Sequence, residues 1–223
     1  MTNFKGIWAV VPVKDLGTAK QRLASALNQS QRTALYRCML LGVLDALRDA
    51  RALGGVLVVT RDPWAIDQAR SRAAIVLEEP ENQGHTAAST LGAAYLARHG
   101  ARGMLQVPGD LPLLASADID ALLAQHGDAP AVTIAPSRDE LGSNGLACSP
   151  ADLLPLRFGD DSYFPHLARA RELGVEPRII RRDGFALDVD TPEDLTALLA
   201  RPERTPTHAY LASIEYQAIG DGE

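Results

Sequence analysis

Short apolar runs alternate with helical patterns along most of the chain. The run Ile7–Val13 is rich in β-branched residues and almost wholly apolar, as expected of a strand buried on both faces. Over residues 30–50, Leu, Met and Val recur at helical spacing, which predicts a long helix. Further strands are predicted at 55–60, 74–79, 103–110, 131–137, 145–149, 177–182 and 185–190, and further helices at 62–73, 86–99, 116–126, 162–173 and 191–200. This alternation is typical of an α/β fold built from βαβ units.

Capping residues mark several of the predicted helices. Asp62 and Thr191 each stand before a proline, the usual order of an N-cap and a first helical residue. Ser116 is the candidate cap of the helix at 116–126. Beyond residue 201 the chain is polar and shows little pattern, so we predict one domain over 1–200 and a C-terminal arm over 201–223.

The composition is that of a globular protein with one full core. The chain has 223 residues, of which 46% are hydrophobic and 22% charged. Lys and Arg number 22 and Asp and Glu 28, so the net charge is −6, which argues against a protein that tracks duplex nucleic acid. A small anionic ligand remains compatible with this charge, because a pocket can differ in charge from the whole molecule.

No apolar run approaches the ~18 residues of a membrane helix, and no signal-peptide cleavage pattern occurs. We therefore expect a cytoplasmic protein that binds neither a membrane nor nucleic acid. Cys38 and Cys148 lie far apart with no CxxC motif, and we expect free buried thiols rather than a disulfide. Neither cysteine has the context of a nucleophile and no Gly-x-Ser-x-Gly motif occurs, which disfavours covalent catalysis.

Three cations lie in the loop after the first predicted strand. Lys14, Lys20 and Arg22 follow the carboxyl end of that strand, where open α/β sheets bind their ligands. Lys offers a point charge and Arg a fork of donors, and together they suit a polyphosphate. The loop matches neither GxGxxG nor GxxxxGK[ST], so it is not one of the standard nucleotide motifs. A solvated basic loop explains the same residues without a ligand.

Three aspartates occupy two other predicted strand ends. Asp110 follows an apolar strand and precedes LPLL, a setting in which a carboxylate needs a partner such as a divalent cation. Asp188 and Asp190 are two residues apart, so on a strand they share a face and repel each other unless a cation or donor lies between them. Hard oxygen ligands suit Mg²⁺ or Mn²⁺. The alternatives are a turn or capping role for Asp110, and an Asx turn at Asp190 with Asp188 exposed.

Glycines and hydrogen-bonding side chains occur together in two further segments. Ser143 and Asn144 follow a glycine, and Gly159 precedes Ser162 at a predicted helix start. Glycine allows close approach of the backbone, hydroxyl and amide groups supply donors, and a helix start favours an anion. Plain helix capping explains the same residues. The histidines show no metal-ligand spacing, and His166 suits a packing or supporting role better than a catalytic one.

The order and separation of these motifs resemble a known family. VPVKDLGTAKQRL, GDLPLL, GSN, FGDDS and LDVDTPEDL follow one another as in the phospholactate guanylyltransferase family of deazaflavin-coenzyme biosynthesis. The resemblance implies a Rossmann-like, three-layer fold of the nucleotide-diphospho-sugar transferase type, mostly parallel with a small antiparallel excursion. It also implies that GTP condenses with a small phosphorylated acid to a diphosphate-linked guanosine adduct and pyrophosphate, and that the enzyme forms a homodimer.

The resemblance implies a role for each candidate residue. A divalent ion, Mg²⁺ or Mn²⁺, would be held by Asp110, Asp188 and Asp190. The catalytic cations over the triphosphate would be Lys14, Lys20 and Arg22. The acceptor's carboxylate and phosphate would be bound by Ser143, Asn144, Gly159 and Ser162. Weaker nucleotide contacts would come from Gly84 and Thr86.

Acceptors in this family include 2-phospho-L-lactate, phosphoenolpyruvate and 3-phospho-D-glycerate. This chain reads GHTAA where GLNAA is common and GSN where GTN is common. The segments GHTAA and FGDDSYFPH resemble the proteobacterial branch, so the resemblance favours 3-phospho-D-glycerate. Two other interpretations are a glycosyltransferase of the same fold that uses a nucleotide-sugar, and a non-catalytic nucleotide-binding protein.

Overall fold

Seven strands form one sheet in the computed structural model, which describes residues 4–81, 83–159 and 161–216. In chain order they are β1 (Ile7–Val13), β2 (Leu53–Thr60), β3 (Ile75–Leu77), β4 (Gly103–Gln106), β5 (Ala131–Pro136), β6 (Ser143–Ser149) and β7 (Arg178–Ile179). The order across the sheet is β3-β2-β1-β4-β6-β5-β7. Strand β6 runs antiparallel to β4 and β5, and the other pairings are parallel. The predicted mostly parallel sheet with a small antiparallel excursion is confirmed.

Helices cover both faces of the sheet and give the predicted three layers. Their bounds are α1 (Gln29–Asp49), α2 (Pro63–Ser71), α3 (His85–Arg98), α4 (Ser116–Ala124), α5 (Tyr163–Glu172), α6 (Asp183–Ala186), α7 (Pro192–Leu199) and α8 (Pro206–Ser213). Two 3₁₀ turns, Leu16–Thr18 and Gln21–Leu23, lie in the loop after β1. Helices α3 and α5 pack on one face of the sheet, and α1, α2, α4, α7 and α8 on the other.

Strand β1 contributes to the core on both faces of the sheet. All its residues are buried, and they alternate, with Val11 packed in the layer of α1 and Val10 in the layer of α3. Burial on both faces explains why its sequence is a continuous apolar run. In α1, Leu35 and Met39 are fully buried and belong to the same core cluster as Val11 of β1, as the helical spacing predicts.

The predicted helix caps are confirmed at two of three positions. Asp62 and Thr191 cap α2 and α7, each accepting a backbone N–H three residues further on. Ser116 is instead the first residue of α4, and Ala115 takes the cap position. The reason is that the Asp118 side chain reaches back and accepts the Ala115 N–H at 3.3 Å.

The C-terminal quarter differs most from the sequence prediction. Residues 185–190 are not a strand, because Phe185 and Ala186 lie in α6 and residues 187–190 belong to no strand of the sheet. The apolar alternation is real, since Leu187 and Val189 are both buried, but Val189 donates its N–H to the Asp110 carbonyl oxygen instead of joining a ladder. Within the predicted arm, α8 packs beside α1 and buries Leu211, and residues 217–223 of that arm lie outside the described residues.

Two further expectations concern the cysteines and the membrane. Both thiols are free; Cys148 is buried as expected, whereas Cys38 is only half-buried. No helix among the described ranges combines the length and the apolar composition that crossing a bilayer requires.

Candidate active site

A cavity of about 840 Å³ opens at the carboxyl ends of β1 and β4. All twelve residues singled out in the sequence line it. Strands β1 and β4 are parallel neighbours, so their carboxyl ends bring Lys14 and Asp110 to the same edge of the sheet. Strand β6 runs the other way, and for that reason its first residues, Ser143 and Asn144, reach this edge as well. The antiparallel strand thus places hydroxyl and amide groups beside the carboxylates.

Lys20 lies between two of the three aspartates. Its Nζ is 2.5 Å from Asp110 Oδ2 and 2.7 Å from Asp190 Oδ1, and its side chain is only 5% exposed. Burial alone would lower the pKa of Lys20, but the charges of the two carboxylates raise it above its ordinary value. The Lys20 backbone has φ 57° and ψ 42°, a left-handed conformation that is uncommon outside glycine. A solvated loop therefore does not describe Lys20.

Asp188 completes the carboxylate cluster. Burial, together with the charge of Asp110, raises its pKa to about 6, although the amide of Asn144 donates to it at 3.0 Å. Asp110 Oδ1 is buried and has no hydrogen-bond partner among the described residues. Lys20 is the buried cation of this cluster. Its single positive charge does not balance three carboxylates, so further positive charge would stabilise the cluster.

These carboxylates provide a donor set that suits a hard divalent cation. The unpartnered oxygen of Asp110 and the raised pKa of Asp188 both indicate room for positive charge. As arranged, no three His, Cys, Asp or Glu side chains of the described part of the chain form a metal-binding group. The ammonium of Lys20 occupies the space between two of the candidates, so the set fits such a cation on condition that Lys20 withdraws.

The two other predicted cations line the same cavity from its exposed side. Lys14 and Arg22 are both exposed, and their charges help Lys20 to lower the pKa of Asp190 against the opposing effect of burial. The structure thus gives the three cations different settings: Lys20 is buried against carboxylates, and Lys14 and Arg22 face solvent at the cavity mouth.

Two hydroxyls form another part of the cavity lining, with a buried histidine in contact with one of them. Ser162 Oγ accepts the backbone N–H of Ser143 at 2.9 Å, and Ser143 Oγ lies 3.0 Å from His166 Nδ1. Both serines are buried and line the cavity. Ser162 stands at the start of α5 without capping it, so plain capping does not account for this residue.

Other predicted ligand residues make structural hydrogen bonds. Asn144 donates both amide hydrogens, to the Phe185 carbonyl oxygen at 2.9 Å and to Asp188. Thr86 Oγ1 accepts the N–H of Phe158 at 2.9 Å and donates to the carbonyl oxygen of that residue at 3.3 Å. Thr86 thereby ties the start of α3 to the loop that carries Gly159, while Gly84 takes the cap position of α3. Direct ligand roles for these residues stay predictions.

The sequence analysis missed a polar pair, the half-buried His85 and the buried Gln106. Their Nε2 atoms are 2.9 Å apart, both residues line the cavity, and Gln106 Oε1 has no partner among the described residues. Burial lowers the pKa of His85 to about 4, so its imidazole is neutral at pH 7. The available signal was Gln106 itself, a polar residue inside the apolar strand β4.

The family of the chain follows from comparison with known proteins. The family described as "Guanylyl transferase CofC like" matches residues 7–219. The chain belongs to this family. The match covers all seven strands and extends over α8. Helix α8 therefore belongs to the region that the family model describes.

Curated relatives of this guanylyl transferase carry three substrate names. A phosphoenolpyruvate guanylyltransferase from Rubrobacter xylanophilus is 41% identical over 87% of this chain and 94% of the relative. A 2-phospho-L-lactate guanylyltransferase from Methanothermobacter thermautotrophicus is 34% identical, with 93% and 91% covered. A 3-phospho-D-glycerate guanylyltransferase from Colwellia psychrerythraea is 32% identical, with 86% and 92% covered.

Solved structures confirm the predicted fold. A protein from Desulfovibrio desulfuricans assigned to the nucleotide-diphospho-sugar transferases superposes with a TM-score of 0.75 at 17% identity, covering 93% of this chain and 94% of that one. A nucleotidyl transferase from Methanothermobacter thermautotrophicus gives 0.63 at 19% identity, with 93% and 99% covered. The CofC-like chain therefore has the nucleotide-diphospho-sugar transferase fold.

Proposed function

We propose that this protein transfers GMP from GTP to a small phosphorylated carboxylic acid and releases pyrophosphate, as a step of deazaflavin-coenzyme biosynthesis. The observation that carries the proposal is the cavity itself. The same cavity is lined by Asp110, Asp188 and Asp190 with Lys20 among them, and by the hydroxyls of Ser143 and Ser162. A triphosphate and a second anion need both groups of residues.

The cations of the β1 loop act on the triphosphate. In the free protein, the Lys20 ammonium forms ion pairs with Asp110 and Asp190. When a nucleotide is bound, its phosphate oxygens compete with these carboxylates for the ammonium. Lys14 and Arg22, exposed at the mouth, offset the negative charge that develops on the departing pyrophosphate.

The acceptor needs positioning more than it needs a base. A phosphate monoester has a second pKa near ~6 and is largely dianionic at pH 7, so its oxygen is already a nucleophile. The two imidazoles nearest these groups agree with this, because desolvation lowers the pKa of His85, which lines the cavity, and of His166, which lies behind Ser143, to about 4. Ser143 and Ser162 hold the acceptor while the phosphate oxygen attacks the α-phosphorus, and the bond to the β-phosphate oxygen breaks.

Asp110, Asp188 and Asp190 would hold Mg²⁺, or Mn²⁺, in the loaded enzyme. The ion would supply positive charge that offsets the negative charge of the reacting phosphates. Within the chain, Asn144 holds Asp188 in place through its amide, and the Val189 N–H fixes the Asp188–Asp190 segment beside Asp110. These two contacts keep the carboxylates of distant segments together.

For the acceptor we rank phosphoenolpyruvate first and 3-phospho-D-glycerate second. Relatives named for phosphoenolpyruvate reach 40–41% identity, whereas the relative named for 3-phospho-D-glycerate reaches 32%. The variants GHTAA and FGDDSYFPH support 3-phospho-D-glycerate, and 2-phospho-L-lactate is the third candidate.

A pyrophosphate-release assay tests the proposal. Purified protein with Mg²⁺ and GTP should release pyrophosphate when one of the three acids is added, and ATP, CTP or UTP should give much less. A glycosyltransferase would release GDP from GDP-mannose and no pyrophosphate from GTP, so acid-dependent release of pyrophosphate from GTP separates the two activities. No acid-dependent release with any nucleotide would refute the proposal.

A further inference from the structure

His166 makes two hydrogen bonds that fix the position of its proton. Its side chain lies in α5 and is 1% exposed, with the ring edge-on to Phe158 at 5.0 Å between centroids. Nε2 accepts the backbone N–H of Arg157 at 3.1 Å, and Nδ1 lies 3.0 Å from Ser143 Oγ. A backbone N–H can only donate, so Nε2 must present its lone pair.

The neutral imidazole therefore carries its hydrogen on Nδ1. Burial lowers the pKa of His166 to about 4, which agrees with a neutral ring at pH 7. The Nδ1–H then donates to Ser143 Oγ, and the serine oxygen is the acceptor in that bond. The hydrogen of the Ser143 hydroxyl is left to point elsewhere, and Ser143 lines the cavity.

The Ser162 hydroxyl also accepts a hydrogen bond from the protein and keeps its own hydrogen available, but through a different contact. Its Oγ accepts the backbone N–H of Ser143 at 2.9 Å, and among the described residues it donates to none. This part of the cavity lining thus offers two hydroxyl hydrogens, each on an oxygen that already accepts one hydrogen bond. Such a pair recognises a group that only accepts hydrogen bonds, namely a carboxylate or phosphate oxygen.

We propose that His166 is a positioning residue that makes the Ser143 hydroxyl a dedicated donor to an anionic oxygen of the phospho-acid acceptor. The inference rests on the proposed function for the identity of the ligand, but the orientation of the hydroxyl is a property of the free protein. His166 does not touch the substrate and transfers no proton. It acts by donating its Nδ1–H to Ser143 Oγ, so that Ser143 cannot donate its hydroxyl hydrogen to the imidazole and has it available for the ligand.

Two substitutions at His166 separate its two hydrogen bonds. His166→Asn places an amide near Nδ1 and keeps a donor to Ser143, whereas His166→Gln reaches the Nε2 position, keeps an acceptor for Arg157 and loses the donor. We expect His166→Gln to raise the acceptor KM about tenfold with kcat and the KM for GTP nearly unchanged. His166→Asn should stay close to wild type. A purely structural role predicts that both variants change both KM values alike, and that result would overturn the proposal.

A double-mutant cycle and a spectrum of the unaltered protein complete the test. Ser143→Ala should raise the acceptor KM, and adding His166→Gln to it should cause no further loss, because both changes remove the same donor; additive effects would contradict the inference. If the variants fail to fold, ¹⁵N NMR of wild-type His166 at pH 7.5 still decides. A protonated Nδ1 with a bare Nε2 supports the inference even where no transferase activity is found, and the other tautomer or an imidazolium overturns it even in an active enzyme.

Discussion

Asp188→Asn should stabilise the protein while removing its activity. In the cation-free protein, burial and the neighbouring Asp110 raise the pKa of Asp188 from 3.8 to about 6. The ionised carboxylate is therefore more costly in the folded chain than in the unfolded one. A shift of about two pKa units corresponds to about 3 kcal/mol at pH 7.5, and a neutral Asn avoids this cost.

The dependence on pH follows from the sign of the shift. The folded state binds the Asp188 proton more tightly than the unfolded state, so its contribution to the free energy of unfolding is highest below about pH 4. This contribution falls as the pH rises towards 6 and stays low above that. The advantage of Asp188→Asn should accordingly be about 3 kcal/mol at pH 7.5 and about half of that at pH 5.

Urea unfolding in EDTA, followed by tryptophan fluorescence, measures this difference. Asp128→Asn is the matched control, because Asp128 is exposed and the same substitution there should change the free energy of unfolding little at either pH. If Asp188→Asn were no more stable than wild type at pH 7.5, or if its advantage grew at pH 5, the account of a strained carboxylate cluster would be wrong.

Three further predictions concern the same cluster. Asp190→Asn should lower turnover by about a hundredfold or more in the pyrophosphate assay while circular dichroism stays native, and near-normal turnover would refute its placement in the site. Added Mg²⁺ should raise the melting temperature of wild type and raise that of Asp190→Asn much less; equal shifts would show that the ion binds elsewhere. Lys20→Met in EDTA should cost about 3–5 kcal/mol in urea unfolding, because Asp110 and Asp190 lose their buried cation, and Mg²⁺ should recover part of the loss; an unaltered midpoint would contradict the ion pairs.

Local patterns were sufficient to predict most of the fold. Strand β1 is buried on both faces and α1 on one face, and each pattern of burial can be read from the apolar residues of the segment itself. The location of the site also followed, because carboxyl ends of parallel strands meet at one edge whatever the remaining contacts are. This rule covers Lys14 and Asp110, whose strands are parallel neighbours. Asp188 and Asp190 follow no strand, and only the family resemblance assigned them to the same site.

Long-range contacts account for what the sequence did not show. Residues 185–190 alternate like a strand, but the first two lie in α6 and the other four pair with no strand of the sheet. The contact of Lys20 with Asp190 joins residues 170 positions apart, and no local pattern records it. The same holds for Thr86, which a motif assigns to the nucleotide and whose hydroxyl in the structure is used by the backbone of Phe158.

Mass spectrometry of the reaction product tests the central claim most directly. Wild-type protein is incubated with GTP, Mg²⁺ and each of phosphoenolpyruvate, 3-phospho-D-glycerate and 2-phospho-L-lactate, with Asp190→Asn as the paired control. The account predicts one new species with the mass of GMP joined to the acid through a diphosphate, formed with one pyrophosphate per molecule and nearly absent in the variant. Hydrolysis of GTP without any adduct, or equal adduct from the variant, would contradict it.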